Sequence, residues 1–202
     1  MSGTLVCFDL DGTLSKQEIL PKIAEIAEIP DEIAALTHAT IQGVIPFDMS
    51  FKLRVRLLRE TCPAKISAYL ADSIEIDECI LKHVRERDEV DYAIVTGNLD
   101  CWIDGLVRKI GLRCFSSRGD VRNGRLHGIA HLMKKDEPLA QLRRDYGRII
   151  AVGDGANDIP LFKHADVKIA YGGVHAPAPN LADKADYIVY SSKALCELLS
   201  ML

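Results

Sequence analysis

The sequence has no stretch approaching the ~18 consecutive apolar residues of a membrane-spanning helix, so no membrane partner is expected. It has no excess of positive charge either. Twenty-five Lys and Arg stand against 29 Asp and Glu, giving a formal net charge of −4. A broad nucleic-acid footprint needs the opposite balance, although a few local cations suffice for a small anion. The six cysteines, at 7, 62, 79, 101, 114 and 196, form no Cys-x-x-Cys pair. Cys7 and Cys114 lie in apolar runs, where a thiol behaves as a small hydrophobe. Reduced cysteines and a cytoplasmic location are expected. Asp9 and Asp11 interrupt the region where a signal peptide would carry its apolar stretch. There is no internal repeat and no low-complexity segment.

What is present fits a folded chain of 202 residues, with 48% hydrophobic and 27% charged residues. Short apolar runs recur at Leu5–Asp9, Tyr92–Thr96, Leu112–Phe115, Arg148–Asp154, Val167–Tyr171 and Tyr187–Tyr190. Most are apolar at every position, as parallel strands covered on both faces are. Ile103, Leu106, Val107 and Ile110 recur at helical spacing, as do Leu132 or Met133, Leu139 and Leu142, with Pro138 near a helix start. Asn123-Gly124 predicts a hairpin within 116–128. Between about 16 and 75 there is no convincing strand. Ile19, Ile23, Ile26, Ile33, Leu36, Leu53, Leu57 and Leu58 read as helical, punctuated by Pro30, Gly43, Pro46 and Pro63. The expectation is an α/β, Rossmann-like parallel sheet core (1–14 and 76–202) with a helical cap inserted after the first strand (15–75).

The ends of those strands carry the chemistry. FDLDGTL delivers Asp9 and Asp11, and YAIVTGN delivers Thr96, Gly97 and Asn98. A basic pair, Lys134-Lys135, follows, and IIAVGDGANDIPLF delivers Asp154 and Asp158. Each piece alone has an ordinary reading as a turn, a helix start or a solvated surface. In a parallel sheet, however, all these ends share one edge, where ligands bind. Like charges repel by ~4 kcal/mol per pair at about 4 Å in an effective dielectric of 20. Such a cluster needs a cation, and a set of oxygen ligands points to Mg²⁺.

These four pieces, in this order, resemble the haloacid dehalogenase superfamily on its phosphatase side, most closely the phosphoserine phosphatase group. The resemblance runs over nearly the whole chain, and the inserted helices match the type-1 cap. It implies a Mg²⁺-dependent phosphomonoester hydrolase. Asp9 would be the nucleophile that forms an aspartyl-phosphate, and Asp11 the general acid and base. Lys135, rather than Lys134, would neutralise phosphoryl charge. Asp9, the Asp11 carbonyl and Asp154 would hold the metal, with Asp158 on its waters. Thr96 and Gly97 would grip phosphoryl oxygens, helped by a helix N-terminus, and Asn157 would line the substrate. A dehalogenase would need neither the metal nor Asp11, and an ATP-driven pump would need membrane helices.

Within the cap, Lys52, Arg56 and Arg59 share one helical face, while Arg54 falls opposite, between Leu57 and Leu58 on the apolar arc. A guanidinium there pairs internally or faces an anionic ligand. By resemblance, Glu18 meets a substrate ammonium, Arg54 its carboxylate, and Phe47 shields the site. Together they predict phosphoserine or a similar phosphorylated amino acid. Two positions depart from the group. Thr96-Gly97-Asn98-Leu99 replaces Ser-Gly-Gly-Phe, which is expected to set Asn98 on the substrate side, and Ile41 replaces a common Met. His175, in the Gly172–Pro179 loop, reads as a surface histidine, with approach to the cleft as the alternative. Competing readings are a phosphotransferase, a phosphatase of another small phosphorylated metabolite, and a non-catalytic binding protein. Oligomeric state is left open.

Overall fold

The computed structural model describes residues 3–202. The chain opens with strand β1 (Thr4–Phe8) and a one-turn loop over Leu10–Leu14, in which Gly12 takes φ +67°. Four helices follow: α1 (Ile19–Ile26), α2 (Pro30–Ile41), α3 (Phe47–Leu58) and α4 (Pro63–Ser73). Next come α5 (Glu78–Arg85), β2 (Val90–Leu99), α6 (Asp100–Ile110), β3 (Arg113–Arg122) and β4 (Arg125–His131). The chain ends with α7 (Asp136–Leu142), β5 (Arg148–Gly153), α8 (Ile159–Phe162), β6 (Val167–Tyr171), α9 (Pro179–Ala182), β7 (Tyr187–Val189) and α10 (Ser192–Met201).

The strands form one seven-stranded sheet in the order β4-β3-β2-β1-β5-β6-β7, parallel except for the β3–β4 pair. This is the α/β architecture expected from the runs of apolar residues. The central strand explains those runs. Val6 and Phe8 join the core on one face of the sheet, while Leu5 and Cys7 join the core on the other. With helices on both sides, neither face needs polar residues. The chain runs outward from β1 to β2 and β3, then returns to β5 on the far side of β1. The direction of winding therefore reverses beside β1, which opens a crevice at the carboxyl ends of β1 and β5.

The helices between β1 and α5 pack over one sheet face through Ile19, Ile23, Ile33, Phe51, Val55, Leu58, Ile66 and Leu70, all buried and continuous with Phe8. Their root is clamped by an antiparallel bridge between Ser15 and Ile76, with Lys16 N–H donating to the Glu75 carbonyl (2.9 Å). Ile26, Leu53 and Leu57 instead lie exposed on their outer surface. Arg54 consequently shares its buried arc with Phe51, Val55 and Leu58, not with Leu57 as the sequence pattern suggested.

Other boundaries also move. β2 runs on to Leu99, past the expected end at Thr96, with its pairing to β3 irregular between Val95 and Leu99. The following helix starts only at Asp100, so it gives no helix N-terminus at Gly97 itself. Leu132 and Met133 precede α7 rather than belonging to it. The hairpin turns at Asn123-Gly124, both at positive φ (50° and 75°), which suits a two-residue loop between twisted strands. It is longer than expected because β3 and β4 pair as far as Arg118 and His131.

Candidate active site

Asp9 follows the last residue of β1 and is held there by its N–H donating to the Val152 carbonyl on β5 (2.9 Å). The residue is 2% exposed, and its carboxylate accepts from the Lys135 Nζ at 2.6 Å. The same ammonium lies 2.6 Å from Asp158 Oδ1. The other Asp158 oxygen accepts from the backbone N–H groups of Asp154 and Gly155, each at 3.0 Å. Asp158 is thus saturated by the loop it closes and by the lysine it orients. Lys135 is buried, whereas Lys134 is exposed.

Asp11 sits on the turn after β1. Its Oδ1 accepts the first free N–H of α1, from Ile19 (2.9 Å), and its Oδ2 accepts from Asn98 Nδ2 (2.5 Å), with Thr96 Oγ1 at 3.5 Å. Asp154, at the end of β5, accepts from Thr13 Oγ1 (3.2 Å). It also meets His175 Nε2 at 2.9 Å, and that nitrogen lies 3.4 Å from Glu18. His175 is therefore a cleft residue and not a surface one. The Gly172–Pro179 loop folds back over the site, anchored by Ala178 N–H on the Asp154 carbonyl (2.9 Å). This long-range fold-back decides between the two readings that a lone histidine in that loop leaves open.

Five carboxylates (Asp9, Asp11, Asp154, Asp158, Glu18) thus converge with three cationic side chains, Lys135, His175 and Arg54. The imbalance is visible in their protonation. Burial, then Asp158, pushes Asp9 well above the usual carboxylate range. Burial, then Glu18, lifts Asp11 to about 7. Burial lifts Asp154 to about 6 against the opposing pull of His175. His175 itself is raised to about 11 by its bonds to Asp154 and Glu18. Oxygens of Asp9, Asp154 and Asp158 lie within 4.8 Å of one another. An all-oxygen donor set short of positive charge fits a hard divalent cation.

Above this floor lies a cavity of about 40 Å³, lined by Asp11, Glu18, Phe47, Arg54, Gly97, Asn98, Lys135 and Asn157 among others. The Phe47 ring stacks on Phe51 with centroids 5.2 Å apart and roofs the Gly97 backbone. Arg54 is 3% exposed, and its Nη1 donates to Thr37 Oγ1 (3.0 Å). Among the described residues no carboxylate lies within ion-pair distance of it. Burial lowers its affinity for its proton, to about 10. A second cavity, of about 1320 Å³, shares Thr40, Phe47, Lys135 and Asn157 with the first.

The likeness to known proteins follows these features. Residues 6–163 match the family model of haloacid dehalogenase-like hydrolases. A phosphoserine phosphatase of Methanocaldococcus jannaschii is 30% identical over 98% of this chain and 97% of its own length. A phosphoserine phosphatase structure described as a phospho-aspartyl intermediate analogue superimposes with a TM-score of 0.86 at 28% identity, covering 98% of this chain and 99% of that one. A substrate-bound phosphoserine phosphatase complex gives 0.85 at 29% identity, covering 100% and 99%.

The chain belongs to the haloacid dehalogenase-like hydrolase family. Within that family it is phosphoserine phosphatase-like, a phosphoric monoester hydrolase. No helix among the described residues is long and apolar enough to cross a membrane.

Proposed function

We propose that the chain hydrolyses a phosphorylated amino acid, phosphoserine foremost, by way of an aspartyl-phosphate on Asp9. The observation that carries the substrate reading is Arg54. A buried guanidinium without a carboxylate partner is costly unless an anion meets it, and it opens on the same cavity as Asp11 and Glu18. Its planar fork suits a carboxylate. Glu18, across that cavity, suits an ammonium.

The chain's own residues divide the chemistry. Asp9 attacks phosphorus in line while Lys135, fixed between Asp9 and Asp158, spreads its charge over the phosphoryl oxygens. Thr96 Oγ1 and the Gly97 N–H bind those oxygens. Asp11, raised to about 7, carries a proton for the leaving alkoxide, then removes one from the water that cleaves the acyl phosphate. Asp9, Asp154 and the Asp11 carbonyl would hold Mg²⁺, which supplies the positive charge that a dianion and a carboxylate need to approach each other. The helices of 15–75 act as the lid. A cavity of about 40 Å³ has room for little more than water, so substrate enters only when the Phe47 roof lifts from Gly97.

A panel of phosphomonoesters, assayed with Mg²⁺ and with chelator, tests this reading. Phosphoserine is expected to lead, and chelator to abolish turnover. Arg54→Ala should lower kcat/KM for phosphoserine by about 10²-fold more than for an aryl phosphate, the scale of a charge-assisted bidentate contact. Equal losses for both substrates would remove carboxylate recognition.

A further inference from the structure

We infer that Asn98 is a specificity-determining residue whose Oδ1 accepts a hydrogen bond from the charged amine of the leaving group. The inference rests on the phosphorylated-amino-acid reading above. Asn98 lies at the end of β2 and is 4% exposed. An amide offers two donor hydrogens and one acceptor oxygen. Its Nδ2 faces Asp11 Oδ2 at 2.5 Å and Thr96 Oγ1 at 3.4 Å, which occupies both hydrogens. The Asn98 backbone N–H also donates to Thr96 Oγ1 (3.2 Å), fixing the residue against its own strand. Asn98 Oδ1 is left buried without a partner.

Turning the amide over does not cure this. Oδ1 would then face Asp11 Oδ2 at 2.5 Å, acceptor against acceptor whenever Asp11 is ionised. A buried acceptor is stabilised only when something supplies a hydrogen, and no side chain or backbone group among the described residues does so. Ser73 Oγ and Trp102 Nε1, the other two buried side-chain atoms in this condition, are not on the inner cavity, whereas Asn98 lines it beside Asp11 and Glu18. Two neighbouring carboxylates favour a cationic donor over a neutral hydroxyl. An ammonium carries three hydrogens, enough for Glu18 and Asn98 together.

The test measures kcat/KM for O-phospho-L-serine and for its deamino analogue, the phosphate monoester of 3-hydroxypropanoate, in the parent enzyme and in Asn98→Gly, both with Mg²⁺. The parent is expected to prefer the amine substrate, and Asn98→Gly to narrow that preference about tenfold, through KM of the amine substrate, as loss of one charge-assisted hydrogen bond would. Any loss of Asp11 positioning affects both substrates alike and cancels in the ratio. An unchanged preference, with both substrates slowed equally, overturns the inference and leaves Asn98 only as a support for Asp11. Displacement of a bound water alone gives that same null result. If Asn98→Gly folds poorly, Asn98→Ser is used, and the shift in unfolding midpoint by L-serine against 3-hydroxypropanoate gives a readout independent of turnover. An identical serine shift in variant and parent also overturns it. A parent enzyme that hydrolyses aryl phosphates but not phosphoserine defeats the substrate reading itself, a result distinct from either.

Discussion

The Phe47 ring lies so close over Gly97 that a methyl group on Gly97 would stand 2.9 Å from Cε1 and nearer still to Cζ. Gly97 lies in the irregular stretch of β2 but not at a left-handed φ, so it is space and not backbone conformation that demands glycine there. Gly97→Ala is expected to fold but to hold the Phe47 roof open. Steady-state kinetics should show kcat/KM for phosphoserine lowered by about 10²-fold, as when a reacting group is misplaced by an ångström. A variant that turns over like the parent would break the link between this contact and lid closure.

Asp11 gives the site a pH signature. With its carboxyl raised to about 7, the protonated form that the proposed general acid requires is lost as pH rises through that value, so turnover limited by the first chemical step should fall above about 7. For stability, the folded protein binds more protons than the unfolded chain between about 4 and 7, and stability therefore drops as pH rises across that window. Asp11→Asn lacks this drop. In chelator it should melt higher than the parent at pH 8, the difference vanishing near pH 4, while turnover falls by about 10²–10⁴-fold. A lower melting temperature at pH 8 would contradict the assignment.

His175 stands 2.9 Å from Asp154, where it places positive charge against a proposed metal ligand. His175→Gln removes that charge and keeps the polar shape. Mg²⁺ should then bind about tenfold more tightly at pH 7, given the repulsion expected of like charges at this range once solvent screening is allowed for. Calorimetric titration of the metal into both proteins decides it, and weaker binding in the variant would make His175 a support for Asp154 and not a competitor.

Gly153 closes β5 where Asp158 crosses over it. A Cβ there would meet Asp158 Cγ at 2.5 Å and its Cβ at 2.6 Å. Gly153→Ala must push Asp158 from the Asp154 and Gly155 N–H groups and from Lys135. Denaturant unfolding should show a loss of about 1–3 kcal/mol, typical of overpacking, together with a fall in kcat. Unchanged stability would mean the loop relaxes freely.

Much of the site was legible because its residues sit at strand ends. Asp9, Thr96 and Asp154 each follow an uninterrupted apolar run, and parallel strands bring their carboxyl ends to one edge. Lys135 was harder. Its neighbour Lys134 has the same chemistry, and only the turn into α7 buries one and exposes the other. Arg54 betrayed itself by lying on the wrong side of a basic helix, yet the arc it occupies was drawn one residue out of place. Leu57 looks like core, but the helices of 15–75 cover a single sheet face and leave its side in solvent.

By itself the sequence determined the parallel sheet, the helical insertion and the gathering of acids at one edge, because apolar periodicity and strand-end position are local properties that the chain carries wherever it folds. Tertiary structure alone decided that His175 reaches Asp154, that Phe47 roofs Gly97, and that the Asn98 amide turns its donors to Asp11 and keeps its oxygen unpaired. These depend on the separation of side chains about twenty to ninety residues apart in the sequence, and such distances are set only when the layers pack.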